Sequence, residues 1–146
     1  TIDMKLIFAA LIMSLLLSCS DYEFTLNDQP LQLRTPVSVV FTVPDPSLSR
    51  CLTETLNTQN ATRIDDLRIL DCSFAGIKSL EGLEQFRGLV RLKLSGNELY
   101  DIRPLLSLGG LTIAELSENS NIPCQQLRVL ERFIGSGLTH SRECEI

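Results

Sequence analysis

The side chains with reactive chemistry in this chain are five cysteines and a single histidine. The cysteines are Cys19, Cys51, Cys72, Cys124 and Cys144, and the histidine is His140. No two cysteines form a CxxC pair, which is the spacing that redox motifs and many structural zinc sites use. His140 stands near the end of the sequence, and no base or nucleophile accompanies it. We therefore predict no enzymatic activity, no cofactor and no metal site.

Acidic residues outnumber basic ones, but they indicate neither a calcium site nor nucleic-acid binding. The densest run, Asp65-Asp66 followed by Asp71, lacks the spacing of a calcium loop. Its first two residues fit better in a turn that begins at Thr62, where carboxylates can cap backbone N–H groups. The net charge of −5 and the pI near 4.8 provide no basic field to displace counterions from phosphates.

The N-terminal stretch contains a short apolar run. From Leu6 to Leu17 only Ser14 is polar. The run is too short to cross a hydrocarbon core, which needs roughly 20 residues, but it suits the apolar region of a secretory signal. A buried core helix is the alternative interpretation.

The end of that run, Leu16-Leu17-Ser18-Cys19, resembles the lipobox of bacterial lipoproteins. The resemblance implies a signal peptide over 1–18, a lipidated Cys19 that anchors the chain to a membrane, and a tether over 19–36. Ser20 follows the cysteine where an aspartate would favour the inner membrane, so the resemblance implies the outer membrane. Met4 is an alternative start to Thr1.

Leucine makes up 27 of the 146 residues and recurs with a period of 22. Three successive lines of 22 residues begin at Leu67, Leu89 and Leu111, and the second fits LxxLxLxxNxLxxIxxLxxL at every position. The alternative of an amphipathic helix is disfavoured, because these offsets do not keep to one stripe of a 3.6-residue spiral. The pattern resembles the 22-residue leucine-rich repeats of internalin-type bacterial proteins.

This resemblance implies an α/β solenoid, a short leucine-rich repeat stack over 67–123 with a parallel sheet on its concave face and helical caps at both ends. Three strands are expected to point alternate residues inward: Leu70 and Cys72, Leu92 and Leu94, Ala114 and Leu116. Asn97 and Asn119 are expected to form an asparagine ladder that satisfies buried backbone groups. Ala75 holds that place in the first repeat, so the ladder should begin at the second.

The flanking segments 37–66 and 124–146 are predicted to cap the open ends of the stack. Alternating Val37, Val39, Phe41 and Val43 predict a strand that joins the sheet edge. Pro44-Asp45-Pro46-Ser47 is a helix start signal, and Leu48, Leu52 and Leu56 give the following helix an apolar face through about Asn57. A closing helix is predicted from Cys124 to Ile134, ended by Gly135 and Gly137.

The four cysteines other than Cys19 allow three connectivities, which the repeat geometry ranks. Cys51 and Cys72 are 21 residues apart, and Cys124 and Cys144 are 20 apart, close to one period. Residues one period apart should lie about 4.8 Å from each other on adjacent coils, near the usual separation of bridged Cα atoms. We predict the disulfides Cys51–Cys72 and Cys124–Cys144.

The outward strand positions form two candidate partner-binding rows: Ile69, Arg91, Ile113 and Asp71, Lys93, Glu115. The first row is predicted to place two exposed isoleucines around an arginine, and the alternative is that these are ordinary surface residues. The second row alternates in charge, which also suits a solvated cross-strand ladder. Three short strands give a face of roughly 200 Å², well below the roughly 800 Å² that a stable interface buries on each partner.

These features together predict a membrane-anchored protein–protein interaction module of the bacterial cell envelope. The expected partner is a protein of that envelope. The alternative is a structural or envelope-maintenance lipoprotein that binds no ligand on its concave face.

Overall fold

The structure is a computed structural model that describes residues 39–141 and Cys144, together with the backbone of residues 25–26 and 29–30. The chain divides into two units, Thr1–Thr35 and Pro36–Ile146. In the first unit, strand β1 (Thr25–Leu26) pairs antiparallel with strand β2 (Gln29–Pro30), a pairing that the sequence does not predict. The predicted signal peptide, Cys19 and most of the predicted tether lie outside the described residues.

The second unit alternates short strands with helices and 3₁₀ turns. Its regular elements are α1 (Pro46–Thr58), β3 (Ile69–Asp71), β4 (Arg91–Lys93), β5 (Ile113–Glu115), α2 (Cys124–Ile134) and β6 (Leu138–Thr139), with 3₁₀ turns at Ile64–Asp66, Leu83–Gln85, Arg103–Ser107 and Gly135–Gly137. Among the described residues, no helix has the length and apolar character that crossing a membrane requires.

One parallel sheet organises this unit, in the order β3-β4-β5-β6. Leu70 pairs with Leu92, and Leu92 pairs with Ala114, so the register advances by one 22-residue repeat per strand. Parallel neighbours cannot be joined by a hairpin, and each coil returns through a 3₁₀ turn instead. The predicted repeat and its three strands are confirmed, and the fold is a short solenoid.

The core is formed by the inward positions of the repeat. Leu70, Leu92 and Ala114 are fully buried, and Cys72, Leu94 and Leu116 are at most 2% exposed. The return segments add further buried apolar residues, namely Ile77, Leu80, Leu83, Phe86, Leu99, Ile102, Leu105 and Leu108. Since a fully buried leucine contributes about 1.5–3 kcal/mol, this repeated burial is the main source of stability.

Two buried asparagines close the turns that follow the strands. Asn97 donates from Nδ2 to the carbonyls of Cys72 (2.9 Å) and Leu94 (2.8 Å), and its Oδ1 accepts from the Ile77 N–H (2.9 Å). Asn119 repeats the pattern one coil later and donates to the Leu94 carbonyl at 2.9 Å. The predicted ladder is confirmed, and it begins at the second repeat.

Helix α1 begins where its sequence indicates. The Asp45 Oδ1 accepts hydrogen bonds from the backbone N–H groups of Ser47 (2.9 Å) and Leu48 (3.0 Å). Pro46 occupies the first helical position, where a missing N–H costs nothing. The helix buries its predicted apolar face of Leu48, Leu52 and Leu56.

Helix α2 follows Pro123 and buries Leu127 and Leu130. The Pro123 carbonyl accepts a hydrogen bond from the Gln126 N–H at 2.9 Å, which starts the helix. The helix contacts both the 3₁₀ turn at Arg103–Ser107 and strand β6. It therefore packs over the last coil of the stack.

The predicted strand over 37–43 is wrong for residues 39–43, which form no strand, while Val37 and Ser38 lie outside the described residues. Helix α1 packs beside β3 instead, and Gln59 Nε2 donates to the Ile69 carbonyl at 3.0 Å. Phe41 packs edge-on against Phe86, with ring centroids 5.4 Å apart. This segment therefore contacts the first repeat beside its 3₁₀ turn at Leu83–Gln85.

Strand β6 is a fourth strand that the sequence analysis missed. Leu138 pairs with Ala114, a step of 24 residues rather than 22, because the intervening return is a full α-helix. The approach is close at Gly137, where an added Cβ would lie 1.8 Å from the Thr112 carbonyl oxygen. Only glycine fits there.

Candidate protein-binding face

The outer sheet face consists of the six outward residues of β3, β4 and β5. Ile69, Arg91 and Ile113 align in one row, and Asp71, Lys93 and Glu115 align in the next, which β6 extends with Thr139. The structure therefore brings together all six residues that the sequence proposes for partner binding.

The first row is less exposed than expected at one end. Ile69 is 50% exposed and Arg91 is also exposed, whereas Ile113 at the other end is half-buried. Within the described residues Arg91 takes part in no ion pair. The row therefore presents one well-exposed isoleucine beside a cation that is free to meet a partner.

The second row is only partly the predicted charge ladder. Lys93 Nζ lies 3.6 Å from Glu115 Oε1, and both side chains are about one-third exposed, so this pair contributes little to stability. Asp71 does not join this ion pair. Its Oδ1 accepts hydrogen bonds from the Ser73 N–H (3.2 Å) and hydroxyl (2.8 Å) instead. These charges are largely satisfied within the domain.

Phe74, which the sequence analysis did not single out, lies three residues beyond β3. Its φ of 57° is left-handed, as are those of Gly96 (69°) and Glu118 (60°), each one period further along. A bulky residue is unfavourable in that conformation, yet the Phe74 side chain is 70% exposed. When the repeats are aligned, Phe74 occupies the position that Gly96 holds in the next repeat. This aromatic residue at a glycine position is the sequence signal that could have identified Phe74.

The Phe74 ring lies directly on the backbone of Gly96. A Cβ built on Gly96 would come within 2.2 Å of Phe74 Cδ1, so only glycine permits this arrangement. The Phe74 N–H also donates to the Ser95 carbonyl at 2.8 Å. The ring is thus held in place while most of its surface remains open to solvent.

Both predicted disulfides are present. Cys51 in α1 is bonded to Cys72 just beyond β3, with Cα atoms 5.9 Å apart. Cys124, the first residue of α2, is bonded to Cys144 with a Cα separation of 5.5 Å. Each bridge joins a helix to a segment that follows a strand.

The other reactive side chains form no catalytic grouping in the described ranges. His140 Nδ1 lies 2.7 Å from the carbonyl oxygen of its neighbour Ser141. Asp66 caps the turn at Ile64–Asp66 by accepting from the Arg63 N–H and the Thr62 hydroxyl, as its position indicates. The described residues contain no cluster of three potential metal ligands.

Among the described residues, two carboxylates have a displaced pKa, and both lie outside the strands of the outer sheet face. Burial alone would raise the pKa of Asp45, but hydrogen bonds from four backbone N–H groups lower it overall. The side-chain hydrogen bond from Arg103 lowers the pKa of Asp101, and its Nε lies 2.8 Å from Asp101 Oδ1. The Asp45 carboxylate is buried, whereas the Asp101–Arg103 pair lies at the surface.

Solved structures of other proteins are similar to this chain over a little more than half of its residues. No protein-family model matches the chain. The chain is similar to an internalin C2 from Listeria monocytogenes, at 31% identity and a TM-score of 0.47, covering 58% of this chain and 39% of that chain. It is also similar to the structure of the CBM51-2 and INT domains of ZmpB from Clostridium perfringens, at 26% identity and a TM-score of 0.41, covering 57% and 20%. The chain thus spans well under half the length of either.

Proposed function

We propose that the repeat unit is a protein-interaction module, held in the bacterial envelope by a lipid on Cys19. The observation that carries this proposal is the unpaired Arg91 on the outer sheet face, beside the half-exposed Ile69. Arginine and large apolar side chains are enriched where partners bind. The neighbouring charges Lys93 and Glu115 satisfy each other, so Arg91 is the cation of this face that a partner can use.

Phe74 extends the proposed surface beyond the strands. The backbone strain at Phe74 costs about 1–3 kcal/mol. Because its ring is mostly exposed, packing in the core does not offset this cost. Aromatic anchors at an interface do contribute binding energy. A role in partner binding gives this strained and exposed residue a physical reason.

The area of the outer sheet face limits the kind of complex. Four strands in place of three raise the face to roughly 250 Å², still far below roughly 800 Å² per partner. A stable complex must therefore also cover neighbouring surface such as Phe74 and helix α1. A partner that meets only the strands would bind weakly and transiently.

The membrane anchor is the second part of the proposal, and it rests on the apolar run that ends at Cys19. Cells grown with labelled palmitate should yield labelled protein. The Cys19→Ala variant should lose the label, because the thioether needs that sulfur, while Ser20→Ala should retain it. Label that persists in Cys19→Ala would contradict lipidation at this residue.

The interaction is tested with the double variant Ile69→Asp/Arg91→Glu. Loss of two central contacts costs about 2 kcal/mol or more, which is at least about a thirtyfold fall in affinity. The partner recovered by crosslinking in cells should therefore disappear from the variant. Both side chains point outward, so thermal unfolding should change little.

A matched control reverses charge and polarity elsewhere on the surface. The variant Val40→Asp/Arg87→Glu alters two exposed residues outside the outer sheet face and should keep the partner. Equal recovery of the partner from both double variants would contradict a binding role for the face. It would favour the alternative of a structural lipoprotein without a ligand there.

A further inference from the structure

We propose that the exposed face of helix α2 is a docking surface for an anionic phospholipid membrane. This inference goes beyond protein binding at the outer sheet face, and it uses the proposed anchor only to bring the domain near a bilayer. The exposed residues of the helix are Gln125, Arg128, Val129, Arg132 and Phe133. Two of them are cations, two are large apolar side chains, and none is acidic.

The charge of this face is opposite to that of the chain. The net charge of the protein is −5, yet the exposed helix face carries Arg128 and Arg132 without an ion-pair partner among the described residues. Glu131, the acidic residue of the helix, is half-buried on its flank. The local field therefore attracts anions.

The apolar residues form a ridge parallel to the basic one. Val129 is 43% exposed and Phe133 is 48% exposed, and their spacing of four places them one turn apart on the same face. Arg128 and Arg132 precede them by one residue each, so the two ridges run side by side along the helix. Interfacial helices have this layout, with apolar side chains entering the acyl region and guanidinium groups staying among headgroups.

An apolar groove continues the ridge toward the 3₁₀ turn at Arg103–Ser107. Its volume is about 470 Å³, and its apolar lining includes Ile102, Leu106, Pro123 and Val129. Arg103 at its edge is already bound by Asp101, so the groove itself lacks a free cation. Acyl chains can enter this groove while the phosphates of the lipid headgroups contact Arg128 and Arg132.

A membrane fits these observations better than a second copy of the chain or an acidic protein. A second copy would place Arg128 and Arg132 against the same two arginines, because symmetric dimers use one surface twice. An acidic protein would pair with the arginines but would leave no reason for the exposed ridge of Val129 and Phe133. An anionic bilayer can contact the arginines through its phosphates and the apolar ridge through its acyl chains.

The chain contains no tryptophan, so a single introduced tryptophan reports on one site. We expect the emission of the full chain carrying Phe133→Trp to shift to shorter wavelength with vesicles that contain phosphatidylglycerol. Vesicles of phosphatidylcholine alone should cause no shift. In the same vesicles Phe74→Trp should stay unshifted, because Phe74 follows β3, at the opposite edge of the sheet from β6, which α2 contacts.

Neutralising the arginines measures their share of the binding. Arg128→Gln/Arg132→Gln in the Phe133→Trp background should weaken partitioning about thirtyfold, since each basic residue near an anionic surface contributes about fivefold. Arg50→Gln/Arg87→Gln removes two exposed arginines elsewhere and should leave partitioning unchanged. High salt should weaken binding of the parent protein.

Three outcomes would overturn the inference. They are the absence of a shift at position 133 with any vesicle, an equal shift with neutral vesicles, and a shift caused by polyglutamate but not by phosphatidylglycerol, which would indicate an acidic protein partner. All variants carry the same N-terminus, so a missing lipid on Cys19 changes none of these comparisons. Failure here and failure of the proposed anchor are therefore separate results.

Discussion

Asp45 joins helix α1 to the first coil through a single carboxylate. Its Oδ1 caps the helix, and its Oδ2 accepts from the backbone N–H groups of Lys78 (2.9 Å) and Ser79 (3.0 Å). The side chain is buried, and these four hydrogen bonds lower its pKa despite the cost of burial.

The lowered pKa of Asp45 predicts a loss of stability in acid. Its contribution is complete above the unfolded value near 3.8 and disappears as the pH falls through the lower folded value. Asp45→Asn should cost about 1–3 kcal/mol at pH 7, because its amide faces N–H groups that need an acceptor. The cost should shrink as the pH falls below about 4, as measured by urea unfolding across pH.

Asp101→Asn is the matched control for that experiment. Asp101 also has a lowered pKa, but its partner Arg103 is an exposed side chain, so the variant should change the unfolding free energy little. If Asp45→Asn were as stable as the parent at pH 7, the proposed junction would be contradicted.

At the scale of single residues, the sequence predicted positions that repeat and missed those that do not. Asn97 and Asn119 followed from the period, since a buried amide recurs wherever the turn recurs. Asp45 was read only as a helix start, because its second pair of bonds reaches residues more than 30 positions away. Phe74 differs from Gly96 at the same repeat position, but the strain at Phe74 became evident only from its backbone angle.

At the scale of elements, periodicity located β3, β4 and β5 because one inward pair recurs every 22 residues. The same reasoning failed for residues 39–43, where alternation of Val39, Phe41 and Val43 satisfied a strand pattern. Those side chains instead pack against the core from the return side, since α1 lies beside β3. Strand β6 was not predicted, because helix α2 makes the final step between paired strands 24 residues long instead of 22.

The two disulfides should contribute unequally to stability. Closing loops of about 20 residues should give each a contribution near 3 kcal/mol. Cys72 is also 2% exposed in the core, whereas Cys124 is only half-buried. Cys51→Ala/Cys72→Ala should therefore lower the unfolding free energy more than Cys124→Ala/Cys144→Ala, measured by urea denaturation. A larger loss from the second pair would contradict the packing role of Cys72.

At the scale of the whole repeat unit, two different surfaces serve two proposed contacts. The outer sheet face offers Arg91, Ile69 and the adjoining Phe74 to a protein. Helix α2, which packs over the last coil, offers arginines and an apolar ridge to a bilayer. The sequence predicted the strand residues of the first surface, because they recur with the strands, but it did not predict Phe74. The second depends on which side of α2 the stack leaves exposed, and that required the structure.

The central claim is that the surface beside β3 meets a protein partner in the cell. Its most direct test is a photo-crosslinking amino acid, benzoylphenylalanine, placed at Phe74 in the full chain and activated in intact cells. Tyr100 is the matched control, since it is also aromatic and is 58% exposed, but it lies beside the 3₁₀ turn at Arg103–Ser107. We predict a discrete protein adduct from position 74 that is absent from position 100 and is lost in Ile69→Asp/Arg91→Glu. Adducts that are identical at both positions, or none at position 74, would contradict the account.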